Sequence, residues 1–349
     1  MLAAGMLDPT FGVGGVVLDD LITIRNDQIF ASAIQTVMGD DKIVVAGLQN
    51  NVSGSQVRDV LVARYNSDGT RDLSFATSGV LVVNASDMAL GDDGINSIIV
   101  DDQNRILLFG TATTTIGLTN FTGVLTMRLT ESGQVDTSFD GDGKVITVLQ
   151  NALSLPISVS ASSIGPDSIS TAVQADGKIV VGASTNVTGG TGRDFAVLRY
   201  NDDGSLDTTF GSVGYVTTDL LAGGTDTLQD LAIQSDGKIV AVGGRSIGTT
   251  PDDFALVRYN TDGSIDTSFG TGGVVLTDIV PSAAVSQDVA TSVFIEPNGQ
   301  IVVGGHTIVR VSLVSPTQRD IVVARYNSDG SLDNAADDTP SVSFGTGVS

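Results

Sequence analysis

The chain has no cysteine, no tryptophan, one histidine (His306), two glutamates (Glu131 and Glu296) and four lysines. Each shortage closes off some chemistry. Without cysteine there is no disulfide, no thiol nucleophile and no Cys-ligated zinc. One histidine excludes a two-His metal site, and a Ser-His-Asp triad through His306 finds no Gly-x-Ser-x-Gly elbow. His306 follows an apolar strand segment and reads as a loop residue. Without tryptophan, sugar stacking falls to tyrosine. Four of the five tyrosines (Tyr65, Tyr200, Tyr259 and Tyr326) are repeat positions, and only Tyr215 stands apart. Scarce Glu and Lys, both good helix formers, argue against helices. No apolar run is long enough to span a bilayer, so membrane insertion is not expected. Met1 to Met6 is too short for a signal peptide.

All but two of the 40 acidic residues are Asp, and there are 42 Gly. With abundant Val, Ile and Thr, this composition describes short strands joined by tight turns. The net charge of −23 excludes a nucleic-acid footprint, which requires basic residues, and repels anionic membranes.

Three markers recur in a fixed order. The first is Leu7-Asp8-Pro9-Thr10-Phe11-Gly12, echoed around Phe75, Phe139, Phe210 and Phe269. The second is Asp176-Gly177-Lys178-Ile179-Val180, echoed at Asp41-Lys42-Ile43, Asn104-Arg105-Ile106, Asp236-Gly237-Lys238 and Asn298-Gly299-Gln300. The third is Arg199-Tyr200-Asn201, echoed at Arg64, Arg258 and Arg325, and as Arg128-Leu129-Thr130. They divide the chain into modules 7–70, 71–134, 135–205, 206–264 and 265–331. A partial sixth start, 332–349, carries Phe344-Gly345.

Each module holds four strand-like segments. One, such as Ile43-Val44-Val45-Ala46, is apolar at nearly every position and must be covered on both faces. The Asp-Gly and Asn-x-Asp-Gly turns between segments suit hairpins. Four antiparallel strands repeated radially predict an all-β fold, a single β-propeller domain over 1–349 with five four-stranded blades. Whether five blades close on themselves or belong to a larger array stays open.

These markers, at about sixty-residue spacing, resemble the delta-60 repeat family. The resemblance covers essentially the whole chain. It implies a bacterial, often exported protein with a predicted propeller and no general activity, and it supplies no catalytic residues. Module 71–134 departs most, with Gly123 where the others open a strand with Asp. An extracellular or cell-surface location is expected, with a cytoplasmic one still open.

Five arginines each precede an aspartate by the same interval: Arg64 and Asp72, Arg128 and Asp136, Arg199 and Asp207, Arg258 and Asp266, Arg325 and Asp333. A turn between them predicts repeated structural ion pairs. Asp136, Asp140 and Asp142, spaced by Gly141 and Gly143, are calcium candidates, although no Glu closes the loop as in an EF-hand. Gly189 to Val197 matches a Gly-rich calcium nonapeptide once, where that motif works in tandem. Otherwise no cofactor is expected.

Function is sought in what varies between modules, chiefly the polar loops after the apolar strand. The expectation is a non-enzymatic binding or scaffold propeller recognising a protein or glycan partner. The alternatives are a polysaccharide-active hydrolase or lyase with Asp carboxylates in a central funnel, and a calcium-stabilised adhesin.

Overall fold

A computed structural model describes residues 6–22, 26–50, 58–86, 91–150, 155–159, 169–186, 192–220, 224–246, 253–280, 285–310 and 318–333. Residues Gly189 to Thr191 of the Gly-rich stretch, and Phe344-Gly345 of the sixth start, lie outside them. The described chain is all β.

The first sheet is Asp27–Val37 (β1), Asp40–Asn50 (β2), Arg58–Asn66 (β3) and Val80–Val83 (β4), antiparallel in sequence order. The second is Gly94–Val100 (β5), Ile106–Ile116 (β6), Thr119–Leu129 (β7) and Lys144–Thr147 (β8). A short hairpin, Leu149–Gln150 (β9) with Pro156–Ile157 (β10), follows. The third sheet is Ser170–Val173 (β11), Ile179–Asn186 (β12), Arg193–Tyr200 (β13) and Tyr215–Thr218 (β14). The fourth is Thr225–Ile233 (β15), Ile239–Ser246 (β16), Asp253–Tyr259 (β17) and Val274–Thr277 (β18). One parallel pair, Arg193 with Thr225, ties the third sheet to the fourth. The last sheet has three strands, Val285–Ile295 (β19), Ile301–Arg310 (β20) and Gln318–Tyr326 (β21).

The sheets are out of phase with the sequence modules. β14 lies in module 206–264, yet it pairs with β13 of the module before, Leu198 facing Tyr215. β4, β8 and β18 do the same with β3, β7 and β17. Each sheet therefore takes three strands from one module and its outermost strand from the next. A short outer strand follows the Phe-bearing turn, and that turn folds it back onto the strand it has just left.

The core lies between neighbouring sheets. Val60 and Val62 of β3 meet Ile106, Leu108 and Met127 of the second sheet. Phe254 and Leu256 of β17 meet Ile301, Val303 and Tyr326 of the last. The apolar strands β6, β12 and β16 are thus buried on both faces, each fully buried side chain contributing about 1.5–3 kcal/mol. Tyrosines stitch the junctions: Tyr200 Oη donates to Thr147 Oγ1 at 2.7 Å, and Tyr326 Oη to Thr277 Oγ1 at 2.9 Å.

Candidate functional site

The two ends of each junction carry different chemistry. At one end lie the Arg–Asp pairs. Arg64 Nε donates to Asp72 Oδ2 at 2.8 Å, and Arg128, Arg199 and Arg258 reach Asp136, Asp207 and Asp266 at 2.7 Å. Arg325 reaches Asp333 at 2.6 Å. Each of the first four also donates from Nη1 to a carbonyl in the next sheet's turn: Glu131, Asp202, Thr261 and Ser328. Each lies over a buried phenylalanine, with 4.5 Å separating Arg258 from the Phe269 centroid. The aspartates close their own turns through Ser or Thr, as Asp207 does with Thr209. Burial alone would raise the Asp207 carboxyl, but Thr209, Lys178 and Arg199 together hold it well below the usual range. These guanidiniums are committed to holding sheets together. A cleft of about 610 Å³ opens over Arg199, between Gln174 and Gln234, with Asp176 and Asp262 in its lining.

At the other end, the outer strand of one sheet crosses to the inner strand of the next. Here the structure gathers Asp194 from β13, Asp219 just after β14 and Asp226 from β15, with carboxylate oxygens within 4.8 Å of one another. The three differ in exposure: Asp219 is exposed, Asp194 half-buried and Asp226 fully buried. Asp226 Oδ2 accepts the Leu220 N–H at 2.7 Å, which pins the crossover, while its buried Oδ1 has no partner among the described residues. Burial pushes the Asp226 carboxyl up to about 6, and the Asp219 and Asp194 charges push the same way. Burial, then Asp219, also raises Asp194.

Related aspartates hold other crossovers. Asp93 accepts the Ala85 and Ser86 N–H groups at 2.7 and 2.8 Å, and burial pushes it up to about 6. Asp288 accepts the Ile279 N–H at 2.8 Å. Between the second and third sheets Gly123 of β7 stands at the position that Asp194 holds in β13. A side chain there would meet Ile146 Cγ2 at 2.7 Å.

The calcium candidates do not converge in this way. Asp136 is committed to Arg128 and Ser138. Asp142 accepts the Lys144 N–H at 3.1 Å, and the Asp140 N–H donates to the Asp203 carbonyl. Among the described residues, the three-carboxylate group is Asp194, Asp219 and Asp226 instead. His306 is not a loop residue: it lies within β20, half-buried and opposite Val289, and burial, then Arg319, lowers its pKa.

Residues 39–75, 174–210, 234–269 and 296–335 match the family described as "Domain of unknown function (DUF5122) beta-propeller". Four stretches of the chain thus match β-propeller repeats. No curated protein matches this repeat chain. Among solved structures, it is similar to a protein of unknown function from Dyadobacter fermentans. The two share 10% identity over 87% of this chain and 92% of that one, with a TM-score of 0.46. An endo-arabinase from Bacteroides thetaiotaomicron shares 14% identity over 86% and 95%, with a TM-score of 0.37. An alpha-L-arabinofuranosidase from Clostridium thermocellum shares 13% over 86% and 91%, with a TM-score of 0.35. The expectation of a non-enzymatic binding or scaffold module is corrected here. A convergent carboxylate group in which Asp194 and Asp226 are both raised fits the hydrolase alternative better. The carboxylates lie at a junction between two sheets, where the sequence led to a central funnel.

Proposed function

We propose that the chain is a polysaccharide-active hydrolase whose working carboxylates are Asp194, Asp219 and Asp226. The observation that carries this reading is their convergence within 4.8 Å, with one member pushed up to about 6. Glycoside hydrolysis needs one carboxyl that keeps a proton near neutrality and one that works as a carboxylate. Asp194, half-buried and raised, presents the proton to the leaving oxygen. Asp226 lies behind it, and mutual repulsion keeps one proton between the two. Asp219, exposed, takes the nucleophile's place. Oxygens this close approach the roughly 5 Å separation of retaining enzymes, which leaves no room for a water between them. The net charge of −23 repels polyanions, so the reading favours an uncharged polysaccharide. Such a substrate would place the protein outside the cell or at its surface. The marker spacing supports the delta-60 assignment and a count of five blades.

The test is reducing-end release from a panel of neutral polysaccharides, arabinan among them. Asp194→Asn should lower the rate at least 100-fold with the fold intact. A wild-type protein that cleaves none of them overturns the reading.

A further inference from the structure

Carboxylates that face one another repel, and a shared proton relieves only part of that. Asp194, Asp219 and Asp226 are such a group, with oxygens within 4.8 Å of one another. Asp226 makes the conflict sharper. Its side chain is 0% exposed, its Oδ2 is taken by the Leu220 N–H, and its Oδ1 bonds nothing among the described residues. A buried oxygen of this kind is costly unless a donor or a cation meets it. Arg245 stands opposite Asp226 on β16, and its charge acts on that carboxyl. Yet no ion pair joins the two among the described residues, and Arg245 Nε is itself buried without a partner there.

The positions beside this oxygen are kept or lost as a set. In the third sheet Phe195 faces Thr218, and Asp194 and Asp219 flank that pair. In the fourth sheet Phe254 faces Thr277, and the flanking residues are Asp253 and Asp278. In the first sheet Val60 faces Val83, flanked by Asp59 and Asn84. In the second sheet Val124 faces Thr147, and the flanking residues are Gly123 and Val148. In these four sheets both positions carry an oxygen side chain or neither does. Pinning a crossover takes one carboxylate, the one that accepts the N–H group. The two oxygens that accompany it serve something they share.

The donor set names the ligand class. It consists of carboxylates, with no nitrogen or sulfur, which suits a hard divalent cation. Calcium fits better than magnesium. It accepts several carboxylates in irregular geometry, whereas magnesium keeps much of its water and takes one or two. We propose that Asp194, Asp219 and Asp226 bind one calcium ion at the crossover between the third and fourth sheets. The ion meets the buried Asp226 Oδ1 and neutralises the group, and water on the exposed Asp219 side completes its shell. It joins β13, the end of β14 and β15, and so fastens two sheets at the end opposite the Arg–Asp pairs. The same oxygens are the working groups of the hydrolase proposed above. Bound calcium therefore switches hydrolysis off, a consequence that rests on that reading.

Calorimetric titration of the chelator-treated full chain with calcium chloride tests the site. One ion per chain should bind. Asp219→Asn changes an exposed residue, and it should weaken binding about tenfold or more, since even an outer partner of a metal ligand is worth that much. Asp194→Asn should do the same, while Asp140→Asn should bind calcium as wild type does. Magnesium chloride should bind more weakly than calcium. Calcium should also raise the melting temperature of wild type and leave that of Asp219→Asn where it was. A wild type that shows neither binding heat nor a melting shift overturns the proposal. So does binding that both Asn variants at the group leave unchanged, which would place calcium on the acidic surface at large. Hydrolysis is read separately, in chelator and in calcium, and activity that calcium abolishes supports the switch. Calcium binding with no hydrolysis in chelator overturns the hydrolase reading and leaves the ion's site standing. Hydrolysis with no calcium binding does the reverse.

Discussion

Arg199 bonds Asp207 on its own sheet and the Thr261 carbonyl on the next, so one side chain ties a turn shut and a junction together. Both partners are nearly buried, at 7% and 5% exposure. Removing the guanidinium leaves Asp207 to Thr209 and Lys178 and the Thr261 carbonyl without its donor, which costs about 1–3 kcal/mol. Arg199→Ala should therefore melt several degrees below wild type by calorimetry. An unchanged melting temperature would show that the pair adds nothing.

The turns that carry these pairs make a finer prediction. Gly204 has φ +92°, and a Cβ there would meet Phe139 Cε1 at 2.9 Å, whereas Gly177 has φ +84° and open space. Alanine in the left-handed region costs about 1–2 kcal/mol at either position. At Gly204 the ring under Arg128 must also move. Gly204→Ala should be clearly more destabilising than Gly177→Ala in urea titration, and equal losses would count against the ring contact.

Tyr259 is fully buried, and its hydroxyl bonds Thr218 across a junction at 2.8 Å. Tyr259→Phe leaves the threonine hydroxyl without this partner, for a loss of about 1–3 kcal/mol. Denaturant midpoints would measure it, with the slope expected to stay constant.

Asp226 gives a prediction with a definite sign. Its folded pKa of about 6 lies above the ordinary 3.8. Between those values the folded state binds more protons than the unfolded one, so stability falls as pH rises through the interval. Asp226→Asn keeps an oxygen for the Leu220 N–H and removes that loss. The variant should melt above wild type at pH 7, with the gap closing towards pH 4. A gap that widens at low pH would reverse the assignment. The same proton predicts that hydrolysis declines as pH rises through about 6.

Much of the architecture was legible because it repeats. The apolar runs around Ile43, Ile106 and Ile301 announced strands covered on both faces, and the even Arg-to-Asp spacing placed Arg64 beside Asp72. The strand phase was harder to see. Tyr215 to Thr218 reads naturally as the first strand of its module, and only the turn at Phe210 sends it back to β13. The carboxylate group was hidden for a different reason. Asp194, Asp219 and Asp226 come from two modules and three separate segments, and in a chain so rich in Asp no spacing singles them out. One trace was present: Asp194 has equivalents in other modules at Asp59, Asp253 and Asp320, which marked it as part of the repeat without showing what it faces.

The phase offset between module and sheet bears on how such a chain can lengthen. A duplicated module arrives with an outer strand that completes the sheet already in place, followed by three strands of a new one. Each gene duplication therefore caps the old edge with the same stretch of chain that creates the next. The array can gain or lose whole modules without changing how one sheet meets the next.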